Sequence, residues 1–450
     1  NDVFNSDGKT DLLAGGSVTI NDDLTSLSDL NIESDESVTL NANISSTGLL
    51  KVDADNDVVL TAGHDVIVGG IAGITSASFT MNFDDQLAAD DQAKLDVEGA
   101  VNIITTGDTA LQIVDVESTL NITSENITLD GQLDVSGDTR LIARKDLNIN
   151  ADVNVGDEEN LSSLIINTDK DDDTITYGEN VTLNSNVNVK GLLSIDSAND
   201  INLTADHNVV IGGTADFLST NFAMADNSIL GVEGAVHITS SGNSTVHNID
   251  AESSIKIDAD NIITNGVVDA VATIDLDSSS SAVVNGTVNA SGNVDIESLA
   301  YAEINGTVHS GVGLTINAKT GLIANAVLSA TENVLIASDN GTVTLNDSVV
   351  SGSNLTIDAI NGLLAEALLQ SGFNLNIGST KGGVTANGAV TSSGLLAINA
   401  KGNVELNKAV TVTSTSTIDT ENNIIINDVF NSDGKTDLLA GGSVTINDDL

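Results

Sequence analysis

The 450-residue sequence contains no cysteine, no proline and no tryptophan, and only 2 tyrosines and 7 phenylalanines. Without cysteine there is neither a disulfide framework nor a thiolate metal site. Without proline every residue keeps its backbone N–H, which a strand with a neighbour on each side requires. A chain this long would normally form two or more globular domains with mixed aliphatic and aromatic cores, and the aromatics for that are missing. No run of 18 apolar residues occurs, so no membrane insertion is expected. The opening Asn1-Asp2-Val3-Phe4 has no signal-peptide character, which places any export signal outside this segment. Basic residues are few, 14 against 65 acidic, for a formal net charge of −51. A polyanion of this strength repels nucleic acid and anionic membranes, so neither is an expected partner. The acid reads either as a solvated face that keeps the chain soluble or as a source of divalent-cation ligands.

What remains is Val, Ile, Leu and Ala interleaved with Asn, Asp, Ser, Thr and Gly, a composition for many short strands joined by polar turns. Repetition organises it. Residues 427–450 reproduce residues 1–24 without a difference, 426 positions apart, as a tandem array would. A shorter period of about 20 residues, the size of one small stacking unit, is also present. Its starts fall at Asn265, Asn285, Asn305, Asn325, Asn346, Glu366, Asn387, Asn407 and Asn427, and continue through Asn1, Asn21 and Asn41. The phase passes Asn427 without a slip, so 1–450 is expected to form one continuous solenoid.

Each period holds three apolar groups. Val268, Val288, Val308, Leu328, Val349, Leu369, Val390, Val410 and Phe430 recur at one place shortly after the start. Alternating pairs follow, among them Val294 and Ile296, Leu314 and Ile316, and Leu355 and Ile357; a third group closes the period, as at Val404 and Leu406. Period-two alternation buries one side and wets the other. The expected fold is therefore all-β: a single-stranded parallel β-helix, right-handed, with three short strands per turn. At about 4.8 Å per turn, one 426-residue unit would rise on the order of 100 Å. The asparagines at Asn265, Asn285, Asn305, Asn325, Asn346, Asn387, Asn407 and Asn427 are expected to stack as a side-chain amide ladder. A second reading of the same column is tolerance of left-handed backbone, often beside glycine as in Asn285-Gly286 and Asn305-Gly306.

A further duplication relates 37–129 to 180–263. The first copy is the longer, by an insertion in or near 83–95, whose Ala, Gln and Leu content suits a short helical decoration. Residues 155–162 read as a loop. The period is blurred over 61–129 and 204–264.

Chemistry is sparse. His64 and His207 fall in turns, and no nucleophile-elbow sequence accompanies any histidine. Arg140, Arg144 and Lys145 read as a patch balancing Asp138 and Asp146. Cleavage of acidic polysaccharide would need cations for the uronates, and sugar hydrolysis would want aromatic platforms; no catalytic role is expected. Oxygen ligands for Ca²⁺ are offered by Asp53, Asp55 and Asp57, and by Asp169, Asp171 and Asp173, without the glycine and distal glutamate of an EF-hand. No other cofactor is expected. Sequons such as Asn121-Ile122-Thr123 follow from composition.

The stretches SGSNLTIDAINGLLAEALLQ (351–370), SGLLAINAKGNVELNKAV (393–410) and GVGLTINAKTGLIANAVL (311–328) resemble the repeats of filamentous-haemagglutinin-like exoproteins and other giant repetitive bacterial β-helix adhesins. The resemblance implies a secreted or surface-attached fibre, extracellular, on a bacterial cell, with adhesion or cell–cell contact as its role. Partners would be neighbouring repeats of the same chain, other fibres or cell-surface glycans. The expectation is a non-catalytic shaft or spacer; alternatives are a calcium-dependent matrix or sheath component and a carbohydrate-active β-helix enzyme.

Overall fold

The computed structural model describes residues 3–88, 91–168 and 179–449. Among them there is no α-helix; the chain is an all-β solenoid of parallel strands in about 22 turns. It divides into two compact units, Asn1–Ala235 and Val236–Leu450.

One turn of the second unit shows the construction. A short strand, Val308–Ser310, forms face A, the longer Leu314–Ala318 forms face B, and Gly321–Ala324 forms face C. Alternate residues point inward: Val308 and Ser310, then Leu314, Ile316 and Ala318, then Leu322 and Ala324, all buried. Each inward aliphatic removed from water contributes about 1.5–3 kcal/mol, but only when the adjacent turns cover it. Register supplies that cover. On face A, Val308 pairs with Leu328, Leu328 with Val349, Val349 with Leu369, and Leu369 with Val390. On face B, Ile316 pairs with Ile336, then Ile357, Ile377 and Ile398 in succession. Inward residues donate their N–H to the following turn, Leu314 N to Asn333 O at 2.9 Å; residues at the corners donate to the preceding one, Lys319 N to Ser298 O at 3.0 Å. A proline at either kind of position would remove one rung of this lattice, which accounts for the absence of that residue. Faces B and C merge in Ile255–Thr264 and Ile274–Val284, single strands that round the corner.

The first unit follows the same plan with unequal turns. Val66 pairs with Leu95 across residues 82–93, and Val153 pairs with Val187 across the loop that begins at Gly156. The 83–95 decoration is corrected at its end: Lys94 and Leu95 already belong to the strand Lys94–Val97. The described part of the segment makes two tight turns, Leu87 N donating to Asp84 O at 3.1 Å and Asp91 N to Ala88 O at 3.0 Å, and is pinned by the buried Gln92. Its Nε2 donates to Asp84 O at 2.7 Å and its Oε1 accepts from Asp84 N at 2.9 Å. Of the 155–162 loop, Val155 ends a strand, and Gly156 takes the left-handed turn at φ 83°.

Candidate functional site

The corner between faces C and A carries the asparagines. Asn285 Nδ2 donates to Asn265 Oδ1 at 2.9 Å, Asn305 to Asn285 at 3.0 Å, Asn325 to Asn305 at 2.7 Å and Asn346 to Asn325 at 2.6 Å. A second run begins at Glu366, whose Oε2 accepts from Asn387 at 3.0 Å, and continues with Asn407 on Asn387 at 2.7 Å and Asn427 on Asn407 at 2.5 Å. A side-chain amide can both give and receive such bonds, so each asparagine can carry the column in both directions, whereas Glu366 can only receive. The left-handed reading is corrected: among described non-glycine residues, positive φ occurs at Asp206 and Asn227 alone. The glycines beside the column answer to close stacking instead. A Cβ on Gly306 would lie 1.7 Å from Gly286 O.

A second ladder, absent from the sequence reading, lies inside the A–B corner. Ser310 Oγ sits 2.7 Å from Gly292 O on the preceding turn and 2.8 Å from Gly313 O on its own. Ser351, Ser371 and Ser392 repeat the arrangement. All four are buried, and each hydroxyl shares its proton between two carbonyls that would otherwise face an apolar interior. The signal was a small residue, Ser or Ala, two positions after the face-A aliphatics from Val268 to Val390; Val412 breaks it after Val410.

The strongest electrostatics lie on the outer side of face B near its corner with face C. Lys256 Nζ reaches Asp277 at 2.9 Å, Asp275 at 3.0 Å and Asp258 at 3.2 Å. Its hydrogen bond to Asp277, followed by those to Asp275 and Asp258, holds the ammonium well above its ordinary value against partial burial. One turn further, Asp295 stands in register with Asp275, and Glu297 with Asp277, with no second lysine. Burial, then the charges of Glu297, Asp275 and Asp277, pushes the Asp295 carboxyl up to about 6. Its Oδ1 is buried without a hydrogen-bond partner. An open groove beside it is lined by Asp258, Asp260, Asp277, Ser279 and Glu297.

The Ca²⁺ candidates are not gathered into a site. Asp53 is 3.1 Å from Lys51, Asp57 accepts from Ser78 Oγ at 2.7 Å, and Asp55 is exposed in the turn between their strands. Asp169, Asp171 and Asp173 lie outside the described residues. Among the described residues, no group of three or more His, Asp or Glu is placed to hold a metal ion. In the basic patch Lys145 pairs with Glu125 on the preceding turn, Asp146 accepts from Asn180 N at 3.0 Å and Asp138 from Ser163 N at 2.9 Å.

No protein-family model, curated protein or solved structure matches the chain.

Proposed function

We propose that the chain is a non-catalytic, load-bearing segment of an extracellular fibre, a shaft or spacer that carries contacts made elsewhere. One observation carries the reading: the turn at 427–446 repeats the turn at 1–20 residue for residue and keeps the same inward columns, Phe430 on Val410 as Phe4 on Leu24. A tandem array of turns that stack the same way on either side is a means of building length, and a series of near-identical active sites would serve no reaction better than one. The polar chemistry present is consumed in holding turn to turn, by amides at one corner and hydroxyls at another. Placement on a bacterial surface, and adhesion as the wider role, rest on the resemblance of 311–328, 351–370 and 393–410 to haemagglutinin-like repeats.

The reading is tested by linking two and then three 426-residue units in one chain and measuring contour length by electron microscopy. Length proportional to unit number supports it; separate beads on linkers would remove it. Calcium-dependent bundling is the second reading, favoured by the in-register carboxylates Asp275 and Asp295, and Asp277 and Glu297. Fibres that bundle laterally in calcium and separate in chelator would put it first.

A further inference from the structure

Six Asn-Gly steps occur in the sequence, at Asn265, Asn285, Asn305, Asn340, Asn361 and Asn387. At such a step the glycine nitrogen can attack the preceding side-chain amide, because glycine has no side chain to bar closure of the ring. The fold treats the steps unequally. Gly286 N donates to Thr264 O and Gly306 N to Val284 O, each at 3.0 Å. Gly341 N donates to Ser338 Oγ and Gly362 N to Ala359 O, each at 3.1 Å. Among the described residues nothing accepts from Gly266 N or Gly388 N. Of these steps, then, only those at Asn265 and Asn387 leave the attacking nitrogen without a hydrogen bond to break.

Both amides are polarised by the following turn. Asn265 Oδ1 accepts from Asn285 Nδ2 at 2.9 Å, and Asn387 Oδ1 from Asn407 Nδ2 at 2.7 Å. Such bonds strengthen as negative charge gathers on the oxygen during attack. The preceding turn separates the two. Asn387 Nδ2 donates to the Glu366 carboxylate at 3.0 Å, which has no proton for a departing nitrogen. Asn265 Nδ2 instead lies 3.5 Å from His247 Nε2. An imidazolium there is a proton donor beside the atom that must leave as ammonia. We propose that Asn265-Gly266 is a self-modification site, converted to aspartate and isoaspartate with His247 as the proton donor. Gly266 N gives its proton to water and bonds to Asn265 Cγ; the Cγ–Nδ2 bond breaks, and ammonia leaves with the proton of His247. Water then opens the cyclic imide, at Cγ to give aspartate or at the main-chain carbonyl to give isoaspartate. Aspartate keeps the acceptor that Asn285 uses. Isoaspartate adds a carbon to the main chain just before Val268, which is paired in register with Ile249 and Val288. That product loosens face A at one corner as the chain ages.

The test is peptide mapping by mass spectrometry of the folded 450-residue chain aged at neutral pH, with electron-transfer fragmentation to separate the products. Asn265 should convert first, ahead of Asn387 and well ahead of Asn285 and Asn305. His247→Gln should slow Asn265 on the order of 100-fold and leave the other steps unchanged. Glu366→His should transfer the effect, quickening conversion at Asn387. Both variants should keep the circular dichroism of the parent. Equal rates at every Asn-Gly step would overturn the proposal, since they would place the reaction in unfolded chain. So would Asn265 outlasting Asn387 in the parent, or a His247→Gln chain that converts Asn265 as fast as the parent does.

Discussion

Glu366 accepts the Nδ2–H of Asn387 at 3.0 Å and returns no proton to Asn346, because a carboxylate has none to give. The amide ladder therefore breaks between Asn346 and Glu366. Glu366→Asn should close it and raise the unfolding free energy by about 0.5–1.5 kcal/mol, measured as a shifted urea midpoint at unchanged slope. A lower midpoint would mean that the column is tolerated and not stabilising.

Asp295 carries a cost that depends on pH. Its carboxyl titrates near 6 in the folded chain, above the ~3.9 of an unfolded aspartate. The folded state therefore binds this proton more tightly than the unfolded one. The stabilisation is complete below the unfolded value and is lost as pH rises through about 6. Asp295→Asn should be more stable than the parent at alkaline pH, by about 1 kcal/mol after solvent screening, with the two curves converging in acid. Parallel curves would show that the Asp275–Asp295 stack is relaxed by solvent.

Ser371 Oγ lies 2.7 Å from both Ser353 O and Asn374 O. Ser371→Ala should cost about 0.5–1.5 kcal/mol, since Ala330 fills the same place on another turn with no hydroxyl. Ser371→Val should cost no more than the alanine, since Val412 fills the same column position, buried, two turns on. A valine loss well above the alanine loss would assign the site to volume rather than to the hydroxyl.

Ile357, buried between Ile336 and Ile377, tests the column itself. Ile357→Ala should cost about 2–5 kcal/mol. Because each turn touches only its neighbours, hydrogen exchange should quicken around residues 334–379 and remain slow in distant turns. Uniform acceleration throughout the second unit would show cooperativity beyond the nearest turn.

Much of this fold could be read from the chain. Over 265–446 the turns are nearly equal in length, so the aliphatics that stack, such as Leu314, Val334 and Leu355, also recur evenly in sequence. Where turns differ in length that correspondence fails. Val66 meets Leu95, and Val153 meets Val187, at sequence separations well beyond the 20 of the regular turns, and no periodicity records them. The serine ladder was hidden for another reason. Ser310 and Ser371 belong to a residue type that is mostly exposed, and their burial follows from carbonyls that only the corner geometry brings together. Lys256 and its three aspartates were likewise out of reach, since two of the three sit on the next turn.

The most direct test of in-register stacking exploits the absence of cysteine. Thr315 and Leu335 face outward and are paired across adjacent turns. Parallel neighbours about 4.8 Å apart fall within disulfide reach. The chain with Thr315→Cys and Leu335→Cys should form an intramolecular disulfide quantitatively on mild oxidation. The chain with Thr315→Cys and Ala337→Cys, one outward position further along, should remain reduced. Cross-linking of the second pair in place of the first, or of neither, would contradict the stack.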